Sequence, residues 1–219
     1  MRHRYAPRHL GPSYVSDVIV IQSVMGRLGF WVRFVAPDLI DSRKMSTNKQ
    51  PEPWLRGPLP GISPLVANLF YSFEQAREEL GEVLNGLSLE EIWTRPHDLA
   101  PVGFHVRHMG GATERLGSYL KGDGLTAEQL ADLKREGEAG ATGAELIEEL
   151  RKRQKDLERY VSAMKPGEFE EPREVGRAKL PSTAIGLIVH IAEHSQRHLG
   201  QAITTAKLVT RMRESGKGW

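Results

Sequence analysis

The sequence predicts an all-α fold, a four-helix bundle with a long crossover connection. Three observations carry that prediction. Four long stretches repeat apolar residues every three and four positions, their ends carry helix-starting and helix-stopping residues, and no apolar–polar alternation is long enough for a sheet. With 219 residues, the chain suits one domain or one domain with an extension.

Residues 1–45 read as a basic, irregular N-terminal extension; residues 1–44 are expected to lie outside the natural protein, whose start is placed at Met45. The competing reading of its apolar run is an ordinary helix on the bundle. Asp17, Arg27 and Arg33 interrupt that run, which argues against a membrane span, and it begins too late for a secretory signal. Residues 46–62 form a proline-rich extended segment. Prolines 51, 53, 58 and 60 each lock their own φ and push the preceding residue out of the helical region.

The bundle is expected over residues 63–213. A first helix covers 64–85, capped by Ser63 with Pro64 at its first position, and its apolar stripe runs Leu65, Leu69, Phe73, Ala76, Leu80. A short helix follows at 88–93, where "SLEE" holds a capping box from Ser88 to Glu91. The second long helix covers 101–120 and stops at the glycines of "KGDG". A short helix at 126–136 precedes the third long one at 143–164. The fourth starts at Ser182 and runs to Arg213, while "GEFEEPREVGRAKLP" reads as a loop. The connections 121–142 and 165–181 are the two long enough for a crossover.

Composition narrows the chemistry. A formal charge of +2 with 26% charged residues is too small an excess to predict nucleic acid as a partner. Cysteine is absent, which removes disulfides, thiolate nucleophiles and Cys-type zinc sites and fits a reducing, cytoplasmic location. Ligand roles therefore fall to histidine, carboxylates or hydroxyls.

The segment "HIAEHSQRHLGQ" places His190, His194 and His198 one helical step apart. His194 and His198 share a stripe with Leu187, Ile191, Ala202, Thr205 and Val209, so both point into the bundle or a cavity within it. A second apolar stripe runs Ile185, Ile188, Val189, Ala192, Leu199 and Ile203. An i, i+4 histidine pair can meet a single metal ion. His190 and His198 lie roughly 12 Å apart along the axis, which puts His190 outside such a site. The spacing alone is a weak signal, since packing or surface histidines produce it too.

The second long helix supplies context in "PVGFHVRHMGGATERLGSYLKG". His105 and His108 lie beside an apolar stripe of Val102, Val106, Met109, Thr113 and Leu116, and periodicity alone leans to His105 as the inward ring. Gly110 and Gly111 each cost about 1 kcal/mol of helix propensity, which suggests a close backbone approach or open space beside the rings.

"VGFHVRHMGGATERL", followed some way on by "HIAEHSQRHLGQAITTAK" and preceded by "WTRP" at Trp93–Pro96, resembles the DinB-like superfamily of four-helix metalloproteins. The resemblance spans about residues 62–210 and leaves 1–61 uncovered. It implies a three-histidine metal centre made of His108, His194 and His198, with His105 as the substitute for His108. It also implies an open position on a zinc or nickel ion, and relatives that use low-molecular-weight thiols such as bacillithiol, mycothiol or glutathione in transfer and isomerisation. The superfamily's name refers to induction by DNA damage and implies no polymerase activity.

Three readings follow. One is a metal-dependent transferase or hydrolase acting on a small molecule through a thiol or an activated water. Another is a non-catalytic metal-binding or stress-related bundle. The last is an interaction module whose histidines point apart. Two apolar stripes on the last helix make a homodimer a further expectation. Glu193, Glu114, Arg107, Arg197 and Gln201 are candidate neighbours of the site, although charged helix residues usually face water.

Overall fold

The computed structural model describes residues 50–216. The expectations for the N-terminal extension and for Met45 lie outside them. Residues 50–66 are irregular apart from a 3-10 turn at Pro53–Leu55, and they lie along the first helix. Arg56 pairs with Glu74 and Glu78, and Tyr71 donates its hydroxyl hydrogen to Gly57 O at 2.8 Å.

Six helices follow: α1 (Ala67–Asn85), α2 (Leu89–Trp93), α3 (Val102–Lys121), α4 (Ala127–Arg135), α5 (Gly143–Ala163) and α6 (Ala184–Glu214). Local chemistry sets most of their ends. Ser88, Thr126 and Thr142 each close a reciprocal capping box, and Gly122 stops α3 in the left-handed region at φ 85°. Two predicted starts are corrected. Helix α1 begins after Val66 rather than Ser63, because residues 64–66 form a turn closed by Val66 N–H on Ser63 O, and Leu65 is left 67% exposed. Helix α6 is capped by Thr183, whose hydroxyl accepts from Gly186 N–H, rather than by Ser182.

The segment read as a loop holds a 3-10 turn at Pro166–Glu170 and a small hairpin, β1 (Pro172–Val175) with β2 (Leu180–Thr183). The strands are antiparallel, pairing Pro172 with Thr183 and Val175 with Leu180. Four residues per strand is too short for alternation to register, and Pro181 inside β2 argues against a strand on local grounds. Tertiary contact favours the hairpin regardless, since Arg173 Nε donates to Leu120 O at 2.7 Å and fastens it to the end of α3.

Helices α1 and α3 each pack on both α5 and α6, so α1 and α3 stand at opposite corners of a square. Side-chain pairings set directions. Arg77 meets Gln154 and Glu158 while Gly143 abuts Leu84, so α1 and α5 are antiparallel. His105 meets His198 and His108 meets His194, so α3 and α6 are antiparallel too. Gly110 lies against Leu150 and Gly117 against Leu157, so α3 and α5 run parallel. A parallel pair of consecutive long helices needs the chain to travel back their whole length. Residues 122–142 are therefore the crossover, and α4 makes the return along α3: Gln129 bonds Ser118, Glu136 bonds Arg115, and Arg107 donates to Glu138 O.

The core forms two apolar clusters, one around Phe73, Leu120, Leu157 and Ile191, the other around Leu80, Val106, Met109, Leu150 and Leu199. Both α6 stripes contribute, through Leu187, Ile191 and Val209 and through Ile188, Ala192 and Leu199, while Val189 stays exposed. No helix among the described residues is long and apolar enough to cross a membrane.

Candidate metal centre

Where α3 and α6 cross, their periodicity presents His105 and His108 from one helix and His194 and His198 from the other. Ring nitrogens of His108, His194 and His198 lie within 4.8 Å of one another, and the three-histidine group could hold a metal ion. His108 Nε2 and His194 Nε2 are 3.2 Å apart. Ring centroids are 4.5 Å apart for His108 and His198 and again for His194 and His198. All three side chains are partly buried, and Phe104 stacks on His108 at 5.3 Å between centroids.

Each end of the group has a partner behind it. His108 donates Nδ1–H to Glu136 Oε2 at 2.7 Å, and Glu136 Oε1 accepts from Arg115 Nη1 at 2.7 Å. In the neutral ring that bond leaves the Nε2 lone pair of His108 facing His194. His105 is buried behind His198, the two Nδ1 atoms 3.2 Å apart, so one of them donates to the other. Periodicity rightly turned His105 inward, but the ring lies outside the convergent three. His190 is exposed, its ring 5.8 Å from that of His194 and its Nδ1 3.9 Å from Glu193.

Burial first, and then the neighbouring His108, hold the His194 pKa down to about 4. Burial, His108 and His194 hold His198 down to about 3. His105 is lowered by burial and by His108. These rings are neutral near pH 7, the state in which an imidazole ligates a metal.

Of the other sequence candidates, Glu193, Arg197 and Gln201 are exposed. Glu114 pairs with Arg153 on the surface, and Arg107 lies over the Trp93 ring at 4.8 Å. Trp93 explains the "WTRP" segment: its ring packs where a Gly103 Cβ would stand, and its Nε1 donates to Ala141 O at the end of the crossover. Glu136 escaped the sequence reading. The one hint was Gly111, flanked by His108 and Arg115 at spacings of three and four, which signalled a close backbone approach or open space and not the side chain that fills it.

The family model of the DinB superfamily matches residues 72–202. Among solved structures, the chain is similar to a conserved protein from Enterococcus faecalis, at 17% identity and a TM-score of 0.57, over 68% of this chain and 98% of that one. At that identity the likeness concerns the fold. No curated protein matches the chain.

Proposed function

The chain belongs to the DinB superfamily, and from that premise we propose that His108, His194 and His198 bind one divalent ion, zinc or nickel, in an open site serving a metal-dependent transferase or hydrolase. One observation carries the reading: three imidazoles from two helices turn nitrogens toward a common point. A zinc–nitrogen bond of about 2.05 Å in tetrahedral geometry sets ligand nitrogens about 3.3 Å apart. The 3.2 Å between His108 Nε2 and His194 Nε2 fits that edge. Two lone pairs at that distance repel unless a proton or a cation lies between them.

The donor set suits the ion class, since imidazole binds zinc, copper, iron and nickel. Glu136 on the outer nitrogen of His108 matches the carboxylate–histidine arrangement that orients metal ligands, and His105 holds the outer nitrogen of His198. Structural zinc sites are closed by four protein ligands, whereas three leave a position for water or substrate. The buried carboxylate of Glu136 is already engaged on His108 and Arg115, which supports an open site.

When bound, such an ion supplies Lewis acidity and an acidified water or thiol. The chain has no cysteine, so a thiol would be an external low-molecular-weight one. The protein's own part is to hold the three rings in place, with Phe104 against His108.

Metal content of the untagged protein, measured by plasma mass spectrometry beside a His194→Ala, His198→Ala double variant, tests the reading. The expected result is about one equivalent of transition metal in the native chain and none in the variant. No uptake even after zinc or nickel is supplied would make the cluster a packing feature. A loaded protein inactive with every thiol and ester substrate would favour a non-catalytic metal-binding bundle.

A further inference from the structure

We infer that Glu136, carried on the crossover, is a positioning residue for His108 and links loading of the three-histidine site to the docking of α4. The inference rests on the reading of His108 as a ligand.

Glu136 follows the last turn of α4, yet it is only 3% exposed, an unusual place for a carboxylate. It lies on the face of α3 that carries His108, Gly111 and Arg115, accepting from the first and last at 2.7 Å each. Gly111 makes room for it: a Cβ there would overlap Glu136 Oε1 and stand 2.7 Å from Arg115 Nη1. Glycine in mid-helix costs about 1 kcal/mol against alanine, and a buried carboxylate adds desolvation. An arrangement built for helix stability alone would use neither.

Fastening the crossover does not require the His108 contact. Arg115 already neutralises the carboxylate, and Gln129, Arg107 and Trp93 supply other anchors. The bond to His108 does what those contacts cannot: it selects the tautomer with Nδ1–H outward and Nε2 toward the shared point, and it fixes the ring plane. Coupling free energies are reciprocal. If the docked carboxylate favours the ion, the ion favours the docked α4, a helix with Leu130 and Leu133 still substantially exposed and therefore held weakly by packing.

The test uses the full chain with zinc and cobalt(II) as probes. Glu136→Gln keeps the size of the side chain, Gly111→Ala displaces the carboxylate without touching a ligand, and Gln129→Ala loosens α4 at a separate anchor. Zinc affinity is read by competition with a chromophoric chelator, ligand geometry by cobalt absorption, and α4 by hydrogen exchange with and without zinc. The expected result is a 10- to 100-fold loss of affinity in Glu136→Gln and Gly111→Ala, an altered cobalt spectrum, and loss of the zinc-induced protection of α4. Gln129→Ala, which loosens α4 but keeps the carboxylate on His108, should lose less affinity than Glu136→Gln. Native-like binding and spectrum in Glu136→Gln would overturn this inference alone, as would an equal loss in Gln129→Ala. A native chain that takes up no zinc would overturn the three-histidine reading and this inference with it.

Discussion

Two polar sites interrupt the apolar bundle on opposite seams, and they are satisfied in different ways. On the α1–α5 seam, Arg77 donates to Gln154 Oε1 at 3.0 Å and Glu158 Oε1 at 2.9 Å, and Lys155 meets Glu158 Oε2 at 2.6 Å. Opposite charges meet there, and the cluster closes on itself except for Gln154 Nε2, which has no hydrogen-bond partner among the described residues. On the α3–α6 seam, four like rings meet. Imidazoles cannot neutralise one another, and burial together with mutual repulsion drives His194 and His198 toward the neutral form. Charge pairing completes the first site from within the chain; the second gathers ring nitrogens that could hold a metal ion.

The largest expected difference between the seams is in stability. Arg77→Met should cost about 2 to 3 kcal/mol, since it leaves a buried carboxylate with one exposed-side partner and a glutamine with none. Metal uptake should stay native, because α3 and α6 are untouched. Chemical denaturation and a metal titration on one preparation check this, and a lost metal site would mean the two seams are not independent.

Acidity should act on the other seam. The folded pKa values of His105, His194 and His198 are depressed, so the unfolded chain binds more protons in the window from about 6.5 down to about 4 for His194 and about 3 for His198. Their contribution is fully present above pH 6.5 and falls as pH drops through that window. In metal-free protein the urea midpoint at pH 5 should lie below that at pH 7.5, and His194→Asn, His198→Asn should flatten the difference. Equal midpoints in the native chain would show that the rings are not held neutral.

The smallest effect belongs to Gln154→Leu. Removing an unpaired buried amide offsets the lost bond to Arg77, so the unfolding free energy should move by less than about 1 kcal/mol, with metal uptake unchanged. A loss well beyond that would mean that Gln154 Nε2 has a partner such as a buried water.

Much of the fold was legible residue by residue. The capping box at Ser88 lies within four residues of chain, and the stripe Leu69, Phe73, Ala76, Leu80 repeats within one helix. Ser63 and Ser182 misled for a related reason: each is a good cap by type, yet a turn at 64–66 and a β-strand at 180–183 had prior claim on the backbone. Within the candidate site, the pairing of His108 with His194 and His198 followed from the resemblance, while periodicity favoured His105. The structure accommodates both, because α3 turns both rings toward α6, and their depths decide which one shares the common point and which one stands behind it.

By itself, then, the sequence determined what depends on neighbours a few residues away: most helix extents, the Ser88 cap, inward faces, and the presence of histidines on two inward faces. Tertiary structure decided the parallel run of α3 and α5, the return of α4 along α3, and the arrival of Glu136 at His108 from 28 residues away. The reason lies in the range of the forces involved. Helix hydrogen bonds and side-chain periodicity repeat every three or four residues and leave a pattern along the chain. A single contact between a carboxylate on a connection and a ring on a helix occurs once, and only the folded path brings its two halves together.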